Sequence, residues 1–140
     1  MKSTPNPTVS SFVVPDKDRV NFVHKLFGHH FPLRLEPAVF SIAGELAADY
    51  NGGLWTFVGL SNGGFYMAPE SALTFDVSCE NGFAGTLSAE ALGITVCLYA
   101  YSRQSFGGDA FAGVCADHFH LLRGFALDHA EVAVIFAAID

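Results

Sequence analysis

The sequence predicts a single α+β domain, in which a three-stranded antiparallel β-meander is surrounded by about five helices. Two observations favour this class. The uncharged segment 50–69 is typical of two strands around a tight Asn-Gly turn. Elsewhere, apolar residues recur at intervals of three and four, which is the spacing of amphipathic helices. A chain of 140 residues is long enough for one ordinary domain.

The central hairpin is the most specific of these elements. Residues 54–60 are rich in β-branched and aromatic side chains, as strands are. The run Ser61-Asn62-Gly63-Gly64 supplies glycines for the positive φ angles that a two-residue hairpin turn needs. Residues 65–67 form the return strand, which Pro69 ends because proline cannot donate a ladder hydrogen bond.

The third strand of the meander is predicted at residues 73–78, which alternate between apolar and polar side chains. A turn at Asn81-Gly82 follows it. Helices are predicted over residues 15–27, 36–50, 89–104, 109–124 and 128–139. Ser88 is a candidate N-cap for the third helix, and Asp128 to Glu131 resembles a capping box for the last. Residues 94–99 alone also fit a short buried strand, although the alanines around them favour helix.

The domain is predicted to span residues 15–140, after a flexible tail of residues 1–14. Pro5 and Pro7 interrupt regular structure in the tail. Pro15 and Asp16 then suit the first turn of a helix, since proline is tolerated there and aspartate favours the positive end of the helix dipole.

The charge balance bears on the choice of partner. Seven basic and fourteen acidic residues give a net charge of −7, which disfavours binding to nucleic acid, because that affinity comes from Lys and Arg on phosphates. The acids are also too scattered to imitate DNA, which carries one charge per ~1.7 Å. We therefore predict a protein that neither binds nor mimics nucleic acid.

The three cysteines, at positions 79, 97 and 115, form no C-x-x-C pair and are predicted to be reduced thiols of a cytoplasmic protein. No apolar run reaches the ~18 residues of a membrane span, and no secretory segment follows Met1. The expected location is the cytoplasm, without membrane contact.

Candidate chemistry is sparse. Cys115 and His118 share a helix face, as metal ligands could, but His120 does not, and the chain has no further zinc motif. Cys79 lies in a turn with no histidine assigned to it. No lysine follows the glycine pairs, so they do not form a phosphate loop. We therefore expect no catalytic residue, cofactor or metal, and an interaction protein and not an enzyme. The alternative is a small-ligand-binding or enzymatic domain that uses the glycine-rich hairpin as a pocket wall.

An interaction protein needs exposed anchors for its partner, and two surfaces are candidates. The first is the hairpin and the segment that leads into it, with Tyr50, Asn51, Trp55, Asn62 and Tyr66. The second is the acidic C-terminal end, with Asp128, Glu131 and Asp140. The hairpin is favoured, because packing alone does not explain its Asn and Tyr groups. On the competing interpretation Trp55 is a core residue, and Asp128 and Glu131 only cap a helix.

Three blocks of the sequence resemble the ArdB/KlcA family of antirestriction proteins. The first is Leu26-Phe27-Gly28-His29-His30-Phe31. The second is the hairpin, from Tyr50-Asn51-Gly52-Gly53-Leu54-Trp55-Thr56-Phe57 to Leu60-Ser61-Asn62-Gly63-Gly64-Phe65-Tyr66-Met67-Ala68-Pro69. The third is Phe119-His120-Leu121-Leu122-Arg123-Gly124-Phe125-Ala126, with His129 and the closing Ala137-Ala138-Ile139-Asp140.

The resemblance implies a restriction inhibitor carried on bacterial plasmids and other mobile genetic elements. Members of the family relieve restriction of incoming DNA by host type I restriction–modification systems. They have both helices and strands, no established catalytic residues, and no DNA mimicry. The implied partner is the restriction–modification complex or an associated host factor, which a monomer would contact.

Overall fold

The computed structural model describes residues 8–140, and their architecture confirms the predicted α+β class. The helices are α1 Arg19–Phe27, α2 Glu36–Leu46, α3 Ala89–Ser105, α4 Ala110–Ala126 and α5 Val132–Ile139. The strands are β1 Ser11–Val13, β2 Trp55–Leu60, β3 Phe65–Pro69, β4 Thr74–Ser78 and β5 Ala84–Ser88. A 3₁₀ turn, Asp16–Asp18, precedes α1, and a π-helical turn, Phe31–Leu35, precedes α2.

The strands form two antiparallel sheets, and this differs from the predicted meander. The three-stranded sheet has the order β1-β2-β3, whereas β4 pairs with β5 in a sheet of their own. The predicted third strand is therefore correct as a strand but wrong as a neighbour of β3. It alternates exposed and buried residues, so one apolar face suffices for it to pack beside α3 and form a separate hairpin.

The missing third strand comes from the segment predicted to be a flexible tail. Val13 pairs with Val58, and the Val14 N–H donates to the Phe57 carbonyl at 2.8 Å. Val14 is buried, so residues 11–14 belong to the folded domain. The prediction of a tail over residues 1–7 lies outside the described residues.

Helix α3 is the centre of the fold, and residues 94–99 are helical within it. It lies along β3 and satisfies backbone groups of that strand. The Tyr101 hydroxyl donates to the Phe65 carbonyl at 2.7 Å, and the Met67 N–H donates to the Cys97 sulfur at 3.5 Å. Gly93 permits this approach, since a Cβ at that position would overlap the Met67 carbonyl. The edge of β3 is thus covered by a helix and unavailable for pairing.

Four helix boundaries differ from those predicted. Helix α1 begins at Arg19 and not at residue 15, because Asp16–Asp18 form a 3₁₀ turn. Helix α2 ends at Leu46 and not at Tyr50, because Ala47 turns away to form a bridge with Val77. Helix α4 continues past Gly124 to Ala126. The capping box predicted from Asp128 does not form: α5 begins after Glu131, without a side-chain cap.

The interior is dominated by aromatic rings. Phe27 lies 5.9 Å from Phe31, 5.8 Å from Phe65 and 4.6 Å from the His118 ring, between centroids. This cluster fixes α1, the π-helical turn and α4 against the inner face of the three-stranded sheet. Within residues 8–140 no helix is both long enough and apolar enough to cross a membrane.

Candidate functional site

The tip of the β2–β3 hairpin is a three-residue loop and not the two-residue turn that was predicted. The Gly63 N–H donates to the Leu60 carbonyl, and the Leu60 N–H to the Gly64 carbonyl, at 3.0 and 2.9 Å. Gly63 has φ +92°, whereas Asn62 has no positive φ. A turn followed by one left-handed glycine explains this pattern. The Asn62 amide donates to the Leu121 carbonyl of α4 at 2.8 Å, so this candidate residue is engaged within the fold.

Trp55, which was predicted as an exposed anchor, is buried with 3% of its surface accessible. Its indole N–H donates to the Tyr50 hydroxyl at 3.0 Å, and its ring meets Tyr50 and Phe40 edge-on. The competing core interpretation of Trp55 is therefore correct, and Tyr50 is a half-buried partner of the indole. Asn51 stays exposed at the entry to the hairpin.

Tyr66 is also buried, at 2% exposure, and so is not an exposed anchor. Its ring stacks on Phe125 of α4, and its hydroxyl donates to Glu90 Oε1 of α3 at 2.8 Å. Burial, followed by this hydrogen bond and the charge of Glu90, raises the pKa of Tyr66 well above its usual value. The hydroxyl therefore remains a proton donor at neutral pH.

The other carboxylate oxygen of Glu90 connects the hairpin to the C-terminal region. It lies 3.4 Å from His129 Nε2, and the Glu131 N–H donates to His129 Nδ1 at 3.0 Å. The His129 ring thus lies between the Glu90 carboxylate on its Nε2 side and the Glu131 backbone on its Nδ1 side. The Glu131 carboxylate accepts bonds from both the N–H and the hydroxyl of Ser88.

We call Tyr66, Glu90, His129, Glu131 and Ser88 the Glu90 network. The sequence suggested two separate surfaces, one with Tyr66 and one with Glu131, and the network joins them. Glu90, His129 and Ser88 were not among the candidate residues. Ser88 was found only as a helix cap, and no local pattern links it to a carboxylate 43 residues away. Of the remaining candidates, Asp128 and Asp140 are exposed beside and beyond α5.

An open groove of about 380 Å³ lies next to the Glu90 network, on the outer face of the three-stranded sheet. Val58 and Ala68 form an apolar part of its lining, with Glu70 and Glu90 as its carboxylates. Thr56 donates to Glu70 Oε1 at 3.4 Å. Residues 35–102 contain no lysine or arginine, so this part of the sequence supplies no cation of its own. This outer groove suits a partner's lysine or arginine, whose aliphatic stem would cover the apolar lining.

The structure offers little for catalysis or metal binding. Within residues 8–140 no three His, Cys, Asp or Glu side chains converge as a metal site. Burial raises the pKa of Cys97 to about 12 and that of Cys115 to about 11, which keeps both thiols protonated and weakly nucleophilic. Burial lowers the pKa of His118 to about 4, so its ring is a neutral core group.

Comparison with known proteins identifies the family. The model of the antirestriction protein family matches residues 48–140. The chain belongs to the antirestriction protein family. An antirestriction protein KlcA of Escherichia coli is 44% identical over 97% of this chain and 96% of its own length. A second KlcA of Escherichia coli is 37% identical over 99% of each chain.

A solved structure of a related protein has the same fold as this antirestriction family member. The two match with a TM-score of 0.88 and 37% identity, over 99% of this chain and all of the other. That structure belongs to work on the KlcA and ArdB proteins, which show a novel fold and antirestriction activity against type I DNA restriction systems in vivo but not in vitro. The family resemblance of the three sequence blocks is thereby confirmed.

Proposed function

We propose that this protein relieves restriction of incoming DNA by the type I restriction–modification system of its bacterial host. The observation that carries the proposal is its similarity, over nearly the full length, to antirestriction protein KlcA. The structural neighbour, which has the same fold, belongs to proteins active against type I systems in vivo. The protein acts in the cytoplasm, by contact with another protein and without catalysis.

DNA mimicry does not account for this activity. Several acidic side chains have partners within the same chain: Glu90 and Glu131 in the Glu90 network, Glu45 with Arg103, and Asp109 with Arg34. The fourteen acids are scattered along the sequence and interleaved with bases, and seven basic residues cannot neutralise a run of phosphates. Fluorescence anisotropy with duplex DNA should show no binding tighter than roughly 10⁻⁴ M at physiological salt. Salt-sensitive micromolar binding would contradict this.

The route of interference involves a component of the cell beyond the purified restriction enzyme. The structural neighbour's proteins are active in vivo but not in vitro, which supports a host factor over simple blockage of the enzyme. A cleavage assay with purified type I enzyme should show no inhibition, and inhibition should arise when extract of the host cell is added. Inhibition by the pure protein alone would favour direct contact with the restriction complex.

We propose that the partner binds at the outer groove. The partner segment that enters the groove is expected to be basic. The groove's carboxylates, Glu70 and Glu90, flank apolar surface, and a charge pair with a partner cation would orient the complex. Exposed Asn51, Asp128 and Asp140 remain candidates at the periphery. Tyr66 is a buried part of the groove lining, whereas Asn62 and Trp55 lie outside that lining and contact other parts of the fold.

A phage-plating assay tests the function and the surface together. Expression in a host with a type I system should raise the plating of unmodified phage. The double change Glu70→Gln and Glu90→Gln keeps hydrogen-bond acceptors for Thr56 and Tyr66 but removes both charges. We expect it to reduce restriction relief at least tenfold, which corresponds to ~1.4 kcal/mol of binding.

The matched control is Glu80→Gln, an exposed carboxylate in the β4–β5 turn outside the groove lining. It should keep full activity. Equal plating with and without soluble wild-type protein would overturn the function, whereas equal activity of the double variant would overturn only the choice of surface.

A further inference from the structure

A second cavity, distinct from the outer groove, lies on the other face of the three-stranded sheet. It has a volume of about 470 Å³ and is lined by α1, Gly28 and His29, the π-helical turn, the first residue of α2 and Phe57 of β2. This volume is within the roughly 300–1,000 Å³ of small-molecule sites. Most of the lining is apolar, through Val20, Val23, Phe31 and Pro32. We call it the Arg19 pocket.

Arg19 supplies a hydrogen-bond donor that the fold does not use. Its guanidinium carbon lies 4.6 Å from the centroid of the Phe57 ring, and Nη2 is 3.1 Å from the exposed Asp16 carboxylate. Its Nε is buried and has no partner within residues 8–140. A buried N–H without an acceptor is unfavourable, so the fold leaves this guanidinium only partly satisfied.

Glu36, on the lining of the same pocket, supplies an unused acceptor. It is partly buried, and desolvation raises its pKa while the nearby charge of Arg19 opposes the shift. The two side chains influence one another but form no ion pair within 4.0 Å among the described residues. A donor and an acceptor, both without partners, therefore line one apolar cavity.

The wall of the Arg19 pocket includes one of the sequence blocks that carry the family resemblance. Gly28, His29 and Phe31 all contribute to the lining. Gly28 has φ +62°, a conformation that favours glycine, and it lets the chain reverse between α1 and the π-helical turn. The outer groove uses none of these residues, so the proposed partner surface does not explain this block.

A lactam group has the chemistry that this pair requires. It places a carbonyl acceptor beside an N–H donor in one flat ring: the carbonyl would accept from the Arg19 guanidinium, and the N–H would donate to Glu36. The apolar walls suit the ring faces. We propose that the Arg19 pocket binds a nucleobase that contains a lactam, as guanine and uracil do and adenine does not.

Titration calorimetry on the full chain tests this proposal with guanosine, uridine and adenosine as probes. Guanosine or uridine should bind at least tenfold more tightly than adenosine. Glu36→Ala should weaken that binding at least tenfold, and Arg19→Lys, which keeps the charge but removes the planar guanidinium, should weaken it several-fold. The control is Glu45→Ala, on α2 but outside the pocket, where the carboxylate pairs with Arg103 at 3.0 Å.

Circular dichroism would first establish that each variant is folded. If Glu36→Ala does not fold, Arg19→Lys and the preference against adenosine decide the matter. The proposal is overturned if no nucleoside binds at millimolar concentration, if adenosine binds as well as the others, or if Glu45→Ala weakens binding as much as Glu36→Ala. None of these results bears on restriction relief, which the plating assay measures independently.

Discussion

The β2–β3 and β4–β5 hairpins end in the same Asn-Gly tip but stand in different surroundings. Gly63 and Gly82 both have φ +92°. In each tip the asparagine Oδ1 accepts a bond at 2.9 Å from the N–H two residues later, Asn62 from Gly64 and Asn81 from Phe83. The two turns therefore have the same backbone conformation and the same asparagine hydrogen bond.

Each asparagine also fastens its tip to a helix. The Asn62 amide donates to the Leu121 carbonyl of α4 at 2.8 Å, and the Asn81 amide donates to two carbonyls at the end of α5 at 3.1 Å. What differs is the rest of the hairpin. Both strands of the first are almost wholly buried and α3 covers its edge, whereas the second exposes alternate residues. The two hairpins thus have the same turn and the same kind of helix contact, but their strands differ greatly in burial.

The largest effect is expected where α3 covers the first hairpin. Gly93→Ala would place a methyl group against the Met67 carbonyl and Ala68, both of which are confined by the sheet. Overpacking of this kind should lower the free energy of unfolding by about 3 kcal/mol, measured by urea denaturation. Gly113→Ala in α4, where the added Cβ meets open space, is the control and should be neutral or slightly stabilising. Equal stability of both variants would show that α3 does not constrain the first hairpin.

The second-largest effect is expected in how the free energy of unfolding depends on pH. The two helices that contact the hairpin tips differ in this respect. Helix α4 carries His118, whose pKa burial lowers to about 4, whereas α5 carries no histidine. The unfolded chain binds a proton near the ordinary pKa of 6.5 and the folded chain does not, so stability should fall as pH drops from about 6.5 to 4. The loss should reach up to about 3 kcal/mol, and His118→Phe should remove most of it in denaturation curves at pH 7 and 5. An unchanged pH dependence in the variant would assign the loss to other groups.

Gly63→Ala and Gly82→Ala compare the turns directly. Since both glycines have the same positive φ, each substitution should cost about 1–2 kcal/mol in thermal or urea unfolding. Neither added Cβ meets another atom within 4 Å, so conformational strain alone is tested. A difference larger than about 1 kcal/mol would mean that the surroundings of a hairpin change the cost of its turn.

The smallest effect isolates the attachment of the tips. Asn62→Asp and Asn81→Asp keep Oδ1 but replace the amide donor with a charge that faces carbonyl oxygen. We expect a loss of about 1 kcal/mol at Asn62 and somewhat more at Asn81, where two carbonyls lie at the negative end of the α5 dipole. Hydrogen exchange at Gly64 and Phe83 would report whether each tip loosens separately. Equal protection in variant and wild type would show that the helix contact is dispensable.

The sequence by itself determined the turns and helix caps, because these depend only on residues that are close together in the chain. The Asn-Gly turns follow from residues that adopt them easily, although the loop at Asn62 proved one residue longer than predicted. Ser88 and Asp109 cap α3 and α4 as expected, since their side chains accept bonds from the N–H three residues later. The family resemblance was likewise visible in contiguous blocks.

Only the tertiary structure decided which of these elements meet. The strand that completes the first sheet comes from residues 11–13, where two prolines upstream suggested a tail, because pairing with β2 depends on a partner more than 40 residues away. Trp55 and Tyr66 have polar groups that suit an exposed surface equally well. They can be buried because the Trp55 indole N–H donates to the Tyr50 hydroxyl and the Tyr66 hydroxyl donates to the Glu90 carboxylate. Glu131 matched a local capping pattern but bonds to Ser88 instead, since a carboxylate takes whichever donors the packed chain brings within reach.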